Sequence, residues 1–227
     1  MTEPPSVTWH GHATVGVELD GQYFLTDPAL TPRLAHLRRH HPVDLAQLGH
    51  PDVVLISHLH LDHLHPASLR LLADRLTDGA TIVVPSGASG EVEGLTGADV
   101  LETRVGDELR FGATTVRTVP AAHSDSRGPH RRVRADAVGY VMSGPSGSVY
   151  FPGDDGCRGV FAMVGPKPVS VQRGAFGGGA LGAREQHPID SDQTVRELPA
   201  GCVAVNGQEG AFIYLTLTAR DLRDLVD

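Results

Sequence analysis

The chain has 227 residues, 40% of them hydrophobic, which is enough for one substantial core and is expected to form a single domain over 1–227. Its net charge of −8 disfavours a general nucleic-acid binder, which usually carries a basic face. No run of about 18 apolar residues is present to form a membrane span, and the isolated Cys157 and Cys202 exclude a disulfide framework.

In chain order, Met1-Thr2-Glu3-Pro4-Pro5 lacks the basic-then-apolar sequence of a secretory leader, so the cytoplasm is the expected location. Val7-Thr8-Trp9 and the run 14–19 read as strands. Asp20-Gly21 is a hairpin signal that returns the chain through 22–26. Residues 29–50 show no periodicity and are expected to be a surface loop. Val53-Val54-Leu55-Ile56 is a short apolar run with β-branched residues, as expected of a buried strand. Pro66 opens a helix expected to reach Leu76, with Leu69, Leu72 and Leu76 on one face. Strands are expected at 81–84, 99–103, 107–111, 114–119, 137–142, 148–151, 168–172 and 202–205. Helices are expected at 191–198 and 218–226. Strands interleaved with helices suit a layered α/β architecture.

Thirteen histidines are present, and four of them fall between His58 and His65. A solvated surface has no reason to cluster imidazoles, whereas metal binding does. The core of the cluster is His58-Leu59-His60-Leu61-Asp62-His63, placed between an expected buried strand and a helix. His58 and His60 can share one metal, and Asp62 and His63 can reach a second. Imidazole and carboxylate ligands leave positions open for water, as hydrolytic zinc, iron or manganese sites require.

This HxHxDH arrangement resembles the metal motif of the metallo-β-lactamase superfamily. The resemblance implies a four-layer αβ/βα sandwich holding two divalent metal ions, zinc first, with manganese or iron as alternatives. It implies two further ligands, His123 in VPAAHS and the bridging Asp154 in the Gly153-Asp154 pair. Trp9-His10-Gly11-His12-Ala13-Thr14 and Thr26-Asp27-Pro28 are similar to a branch that includes L-ascorbate-6-phosphate lactonase and N-acyl-phosphatidylethanolamine-hydrolysing phospholipase D. There His12 and Asp27 are candidates to orient ligands, or else a strand-edge histidine and a turn aspartate. His187, ahead of the 191–198 helix, resembles a histidine beside the substrate pocket; a capping or surface role is the alternative.

One departure stands out. Where the branch carries a last metal-binding histidine, this chain has Asn206 or Glu209, which leaves the second metal without its usual imidazole. The implied activity is hydrolysis of a small-molecule ester, lactone or phosphodiester, with Asp62 and His187 as catalytic candidates. The alternatives are a degenerate protein binding one metal, and an iron-dependent oxygenase on the same fold.

Overall fold

The structure is a computed structural model. It describes residues 5–34, 37–38, 42–121 and 133–153, together with the backbone of three later strands. The elements run β1 (Ser6–Gly11), β2 (Thr14–Leu19), β3 (Gln22–Thr26), β4 (Arg33–Leu34), β5 (Leu37–Arg38), β6 (Val53–Leu55), α1 (Pro66–Leu72), β7 (Thr81–Pro85) and β8 (Asp99–Thr103). They continue as β9 (Glu108–Phe111), β10 (Thr114–Pro120), β11 (Val138–Gly144), β12 (Gly147–Phe151), β13 (Val160–Val164), β14 (Ser170–Arg173) and β15 (Ala204–Asn206).

Two large sheets result, ordered β14-β1-β2-β3-β6-β7-β8 and β15-β13-β12-β11-β10-β9, beside the two-stranded β4-β5. The period-2 alternation of strand side chains decides what each face covers. Val7, Val15, Val17, Phe24, Val53 and Leu55 point from the first sheet into one core. There they meet Val116, Tyr140, Met142, Val149 and Phe151 of the second. The alternate residues Leu25, Val54, Ile56, Ile82 and Val84 face the other way and are covered by Leu69 and Leu72 of α1. Two facing sheets with a helix outside the first form the expected α/β sandwich. No helix among the described residues is long and apolar enough to cross a membrane.

The sheets are tied at their shared edge. Val138 N donates to the Ser57 carbonyl (2.9 Å), and Tyr140 Oη donates to the Ile56 carbonyl (2.6 Å). Burial pushes the Tyr140 hydroxyl well above the ordinary phenol range, and the charge of Asp27 adds to this, so it remains a donor. Tyr140→Phe is expected to cost about 1–2 kcal/mol, because it strips a donor from a buried carbonyl. Denaturant unfolding would check it, and an unchanged midpoint would deny the tie.

Some expectations need correction. The helix ends at Leu72 and tightens into a 3₁₀ turn over Ala73–Arg75. Leu76 still packs on the outer core from the extended conformation that follows. The 29–50 stretch is not simply surface. Ala29, Leu30, Leu34 and Leu48 are buried, and β4–β5 and a 3₁₀ turn over Leu45–Gln47, capped by Asp44, lie within it. Strand β13 was not expected. Its run Val-Phe-Ala-Met-Val, closed by a glycine on each side, carried the signal. The expected helices at 191–198 and 218–226 lie outside the described residues.

Candidate metal centre

Parallel pairing aligns the C-terminal ends of β3, β6, β7 and β8. On the second sheet, the antiparallel register brings the end of β10, the start of β11, the end of β12, the start of β13 and the end of β15 to one edge. Chain leaving these strand ends carries the chemistry-bearing residues: His12 after β1, Asp27 after β3, His58 to His63 after β6, and Gly153 after β12. Asn206 ends β15 at the same edge.

Asp27 organises the centre. Its fully buried carboxylate accepts from Ser57 N (2.7 Å), Ser57 Oγ (2.5 Å) and His63 Nδ1 (2.7 Å). Ser57 Oγ, having given its proton to Asp27, must accept from His58 Nδ1 at 2.9 Å. One carboxylate therefore places the proton on Nδ1 of both His58 and His63. In the neutral ring the Nε2 of each is then a lone-pair donor turned toward the centre. Ser57 escaped the sequence reading; its only signal was its position directly before the motif.

The other contacts converge. His58 Nε2 lies 3.1 Å from His60 Nδ1, and the His58 and His63 rings are 4.0 Å apart between centroids. His12 Nε2 lies 3.0 Å from Asp62 Oδ2, and His63 Nε2 lies 3.7 Å from the same oxygen. Burial on its own would raise the Asp62 carboxyl. The hydrogen bond from His12 and the charges of His63 and His12 outweigh burial and hold the carboxyl well below the usual range. Two nitrogens bound tetrahedrally at about 2.0–2.1 Å from one zinc ion sit about 3.3 Å apart. The His58–His60 spacing fits that edge, and the mixed imidazole and carboxylate donors fit a divalent cation. Among the described residues, two groups have ligand atoms close enough to hold an ion: Asp27, His58 and His63, and His12, Asp62 and His63.

The strain of the backbone sits here too. Three non-glycine residues among those described have left-handed φ: Asp20 in its hairpin turn, His12 (φ 54) and Asp27 (φ 36). Two of the three are in the centre, where such strain is held by surrounding contacts.

His58, His60, Asp62 and His63 are thus gathered by the fold, and His12 and Asp27 join them. His123, Asp154 and His187 lie outside the described residues. Gly153 brings the chain leading to Asp154 against the motif. It has φ +68, and a Cβ on it would lie 2.6 Å from Ser57 Cβ. Ser57 is held by Asp27 and cannot retreat, so Gly153→Ala is expected to cost about 1–3 kcal/mol. Thermal unfolding of the variant, with a metal titration alongside, would check this. Wild-type values in both would show that the close approach is slack.

Beside the centre, an open cleft of about 440 Å³ is lined by Ser86, Thr103, Arg104, Arg134, Asp136 and Val138, among others. Val138 carries the tie to Ser57, so the cleft adjoins the strand end that bears His58. Arg104 Nε donates to Ser86 Oγ (3.1 Å) across its floor.

Residues 22–167 match the family described as the beta-lactamase superfamily domain. A metal-dependent hydrolase from Methanopyrus kandleri is 33% identical over 161 residues, covering 70% of this chain and 66% of its own length. An N-acyl-phosphatidylethanolamine-hydrolyzing phospholipase D from Caenorhabditis elegans is 32% identical over 208 residues, covering 83% of this chain and 58% of its own. The chain thus spans less than two thirds of the length of either relative. Among solved structures, CmlA, a diiron beta-hydroxylase from Streptomyces venezuelae, is 26% identical with a TM-score of 0.53. That match covers 68% of this chain and 30% of CmlA. An isothiocyanate hydrolase from Delia radicum gut bacteria shares the fold at 21% identity and a TM-score of 0.50, covering 65% of this chain and 62% of its own.

Proposed function

Because the chain belongs to the metallo-β-lactamase superfamily, in the branch that includes N-acyl-phosphatidylethanolamine-hydrolysing phospholipase D, we propose that it is a metal-dependent hydrolase of small esters, lactones or phosphodiesters. The observation that carries this reading is the convergence of His58, His60, Asp62 and His63, with both ring protons of His58 and His63 fixed by Asp27.

In this reading His58 and His60, with His123 and Asp154, would hold one divalent cation, and Asp62 and His63, with Asp154, would hold another. Bound cations supply Lewis acidity, which brings the pKa of water near neutrality and offsets charge on the reacting oxygen. The residues of the chain do the rest. Asp27 keeps the ring nitrogens aimed. Asp62, held as a carboxylate, acts as an acceptor and steers the attacking oxygen through a hydrogen bond. Protonation of the leaving group then falls to His187 or to solvent. Arg104 and Arg134 outnumber Asp136 in the adjoining cleft, which favours a substrate with an anionic substituent and so a phosphodiester over a neutral lactone.

A second reading has one specific observation in its favour. The likeness to CmlA, a diiron hydroxylase, supports an iron-dependent oxygenase on the same scaffold. Elemental analysis of protein purified without added metal decides between them, run beside phosphodiester and lactone hydrolysis and oxygen consumption. The expected result is close to two divalent cations per chain with hydrolysis. Iron with oxygen consumption would transfer the assignment to the oxygenase. One cation without turnover would make the chain a degenerate binder.

A further inference from the structure

The second cation of the proposed centre has Asp62 and His63 from the motif, and the structure brings a third donor to them. We propose that His12, in the turn between β1 and β2, is a ligand of that cation through Nε2, an inference that rests on the metal-dependent reading above.

The argument is geometric. His12 Nε2 and His63 Nε2 both approach one carboxylate oxygen, Asp62 Oδ2, at 3.0 and 3.7 Å. All three donor atoms lie within 4.8 Å of one another. The two imidazoles and the carboxylate are thus close enough to share one ion. Their rings meet edge to face with centroids 5.1 Å apart, and the His12 side chain is mostly buried. Two imidazoles and a carboxylate form a donor set seen in hydrolytic zinc sites.

The backbone is arranged to deliver this ring. Gly11 (φ 101) and His12 (φ 54) both take left-handed conformations, and the β1–β2 register shifts between Trp9 and Gly11. Trp9 Nε1 donates to the His12 carbonyl at 2.7 Å and pins the turn. A left-handed histidine costs on the order of 1 kcal/mol or more and persists where surrounding contacts over-determine it. A turn built only to reverse the chain would take glycine or asparagine at this position without that cost. The same ring would supply an imidazole in a chain that has Asn206 or Glu209 where the branch carries its last metal-binding histidine.

The test is a Co²⁺ titration of the full chain and of two variants, followed by absorption and by proton NMR of the hyperfine-shifted, exchangeable ring N–H signals. His12→Gly suits φ 54 and opens space for added imidazole. His12→Asn tolerates the same backbone with a shorter, weaker donor. Wild type is expected to take up two equivalents. Both variants are expected to keep the first and to bind the second about a hundredfold or more weakly, given that even residues outside the ligand cage change affinity by about 10–100-fold. One shifted ring proton is expected to vanish, and imidazole is expected to restore the second equivalent to His12→Gly. Unchanged uptake in both variants overturns the proposal. So does a weakened second site that keeps every shifted ring proton, which would make His12 a positioning residue for Asp62. Wild type that binds no Co²⁺ would instead overturn the metal-dependent reading itself, so the two failures are distinguishable.

Discussion

His58→Ala is expected to reduce hydrolysis by at least about a thousandfold and to remove one cation, since metal-assisted steps supply several kcal/mol of transition-state stabilisation at 1.36 kcal/mol per tenfold. The residue is fully buried just beyond β6, and two of its contacts bear on the centre. Its Nε2 faces His60 Nδ1, and its Nδ1 donates to Ser57 Oγ. Alanine removes both. The loss of packing and of the Ser57 contact is expected to lower stability by about 1–3 kcal/mol. Loss of the ligand has a separate signature. A bound cation stabilises the folded state by mass action, so a chelator should lower the melting temperature of wild type, which loses two cations, by more than that of the variant, which has one left to lose. Full activity in the variant, or an equal chelator response, would remove His58 from the centre.

Asp27→Asn is expected to be nearly as severe by a different route. Three donors converge on the carboxylate: Ser57 N, Ser57 Oγ and His63 Nδ1. An amide offers one oxygen and turns an NH₂ group toward the remaining donors. At least one buried donor then faces another donor. Relief requires His63 to move its proton to Nε2, which removes the lone pair aimed at Asp62. We expect a loss of about 3 kcal/mol in the metal-free protein, typical of a damaged buried pair, and about 10–100-fold weaker metal binding. Denaturant unfolding and metal titration measure the two effects independently. Wild-type metal affinity in a folded Asp27→Asn protein would mean that the tautomers are set by something else.

Much of the architecture was legible because it is local. The β2–β3 hairpin around Asp20-Gly21 has the expected bounds, since alternating apolar residues and a two-residue turn fix register within a dozen positions. The strand-motif-helix order around His58 was legible for the same reason. What escaped was long-range. The resemblance named His12 as a group that orients a ligand, but not its partner Asp62, 50 positions away. Ser57 looks like any polar residue leaving a strand until Asp27 is brought against it. The burial of Leu30 depends on its backbone N–H reaching Ser68 Oγ, 38 positions on, so a stretch without periodicity read as surface. The helix ended early because periodicity marks the face of a helix and says little about where its last turn tightens.

The tie between Tyr140 and Ile56 has a consequence for when the centre comes into being. It joins residues 84 positions apart, and closing a loop of that length costs about 4 kcal/mol of chain entropy before any contact rewards it. Non-local pairings of this kind form slowly. As the chain emerges in order, the histidines that follow β6 are made long before β11 exists to brace them. The ligand cage is therefore expected to be completed late in folding, and cation uptake at the proposed centre would mark the arrival of the second sheet.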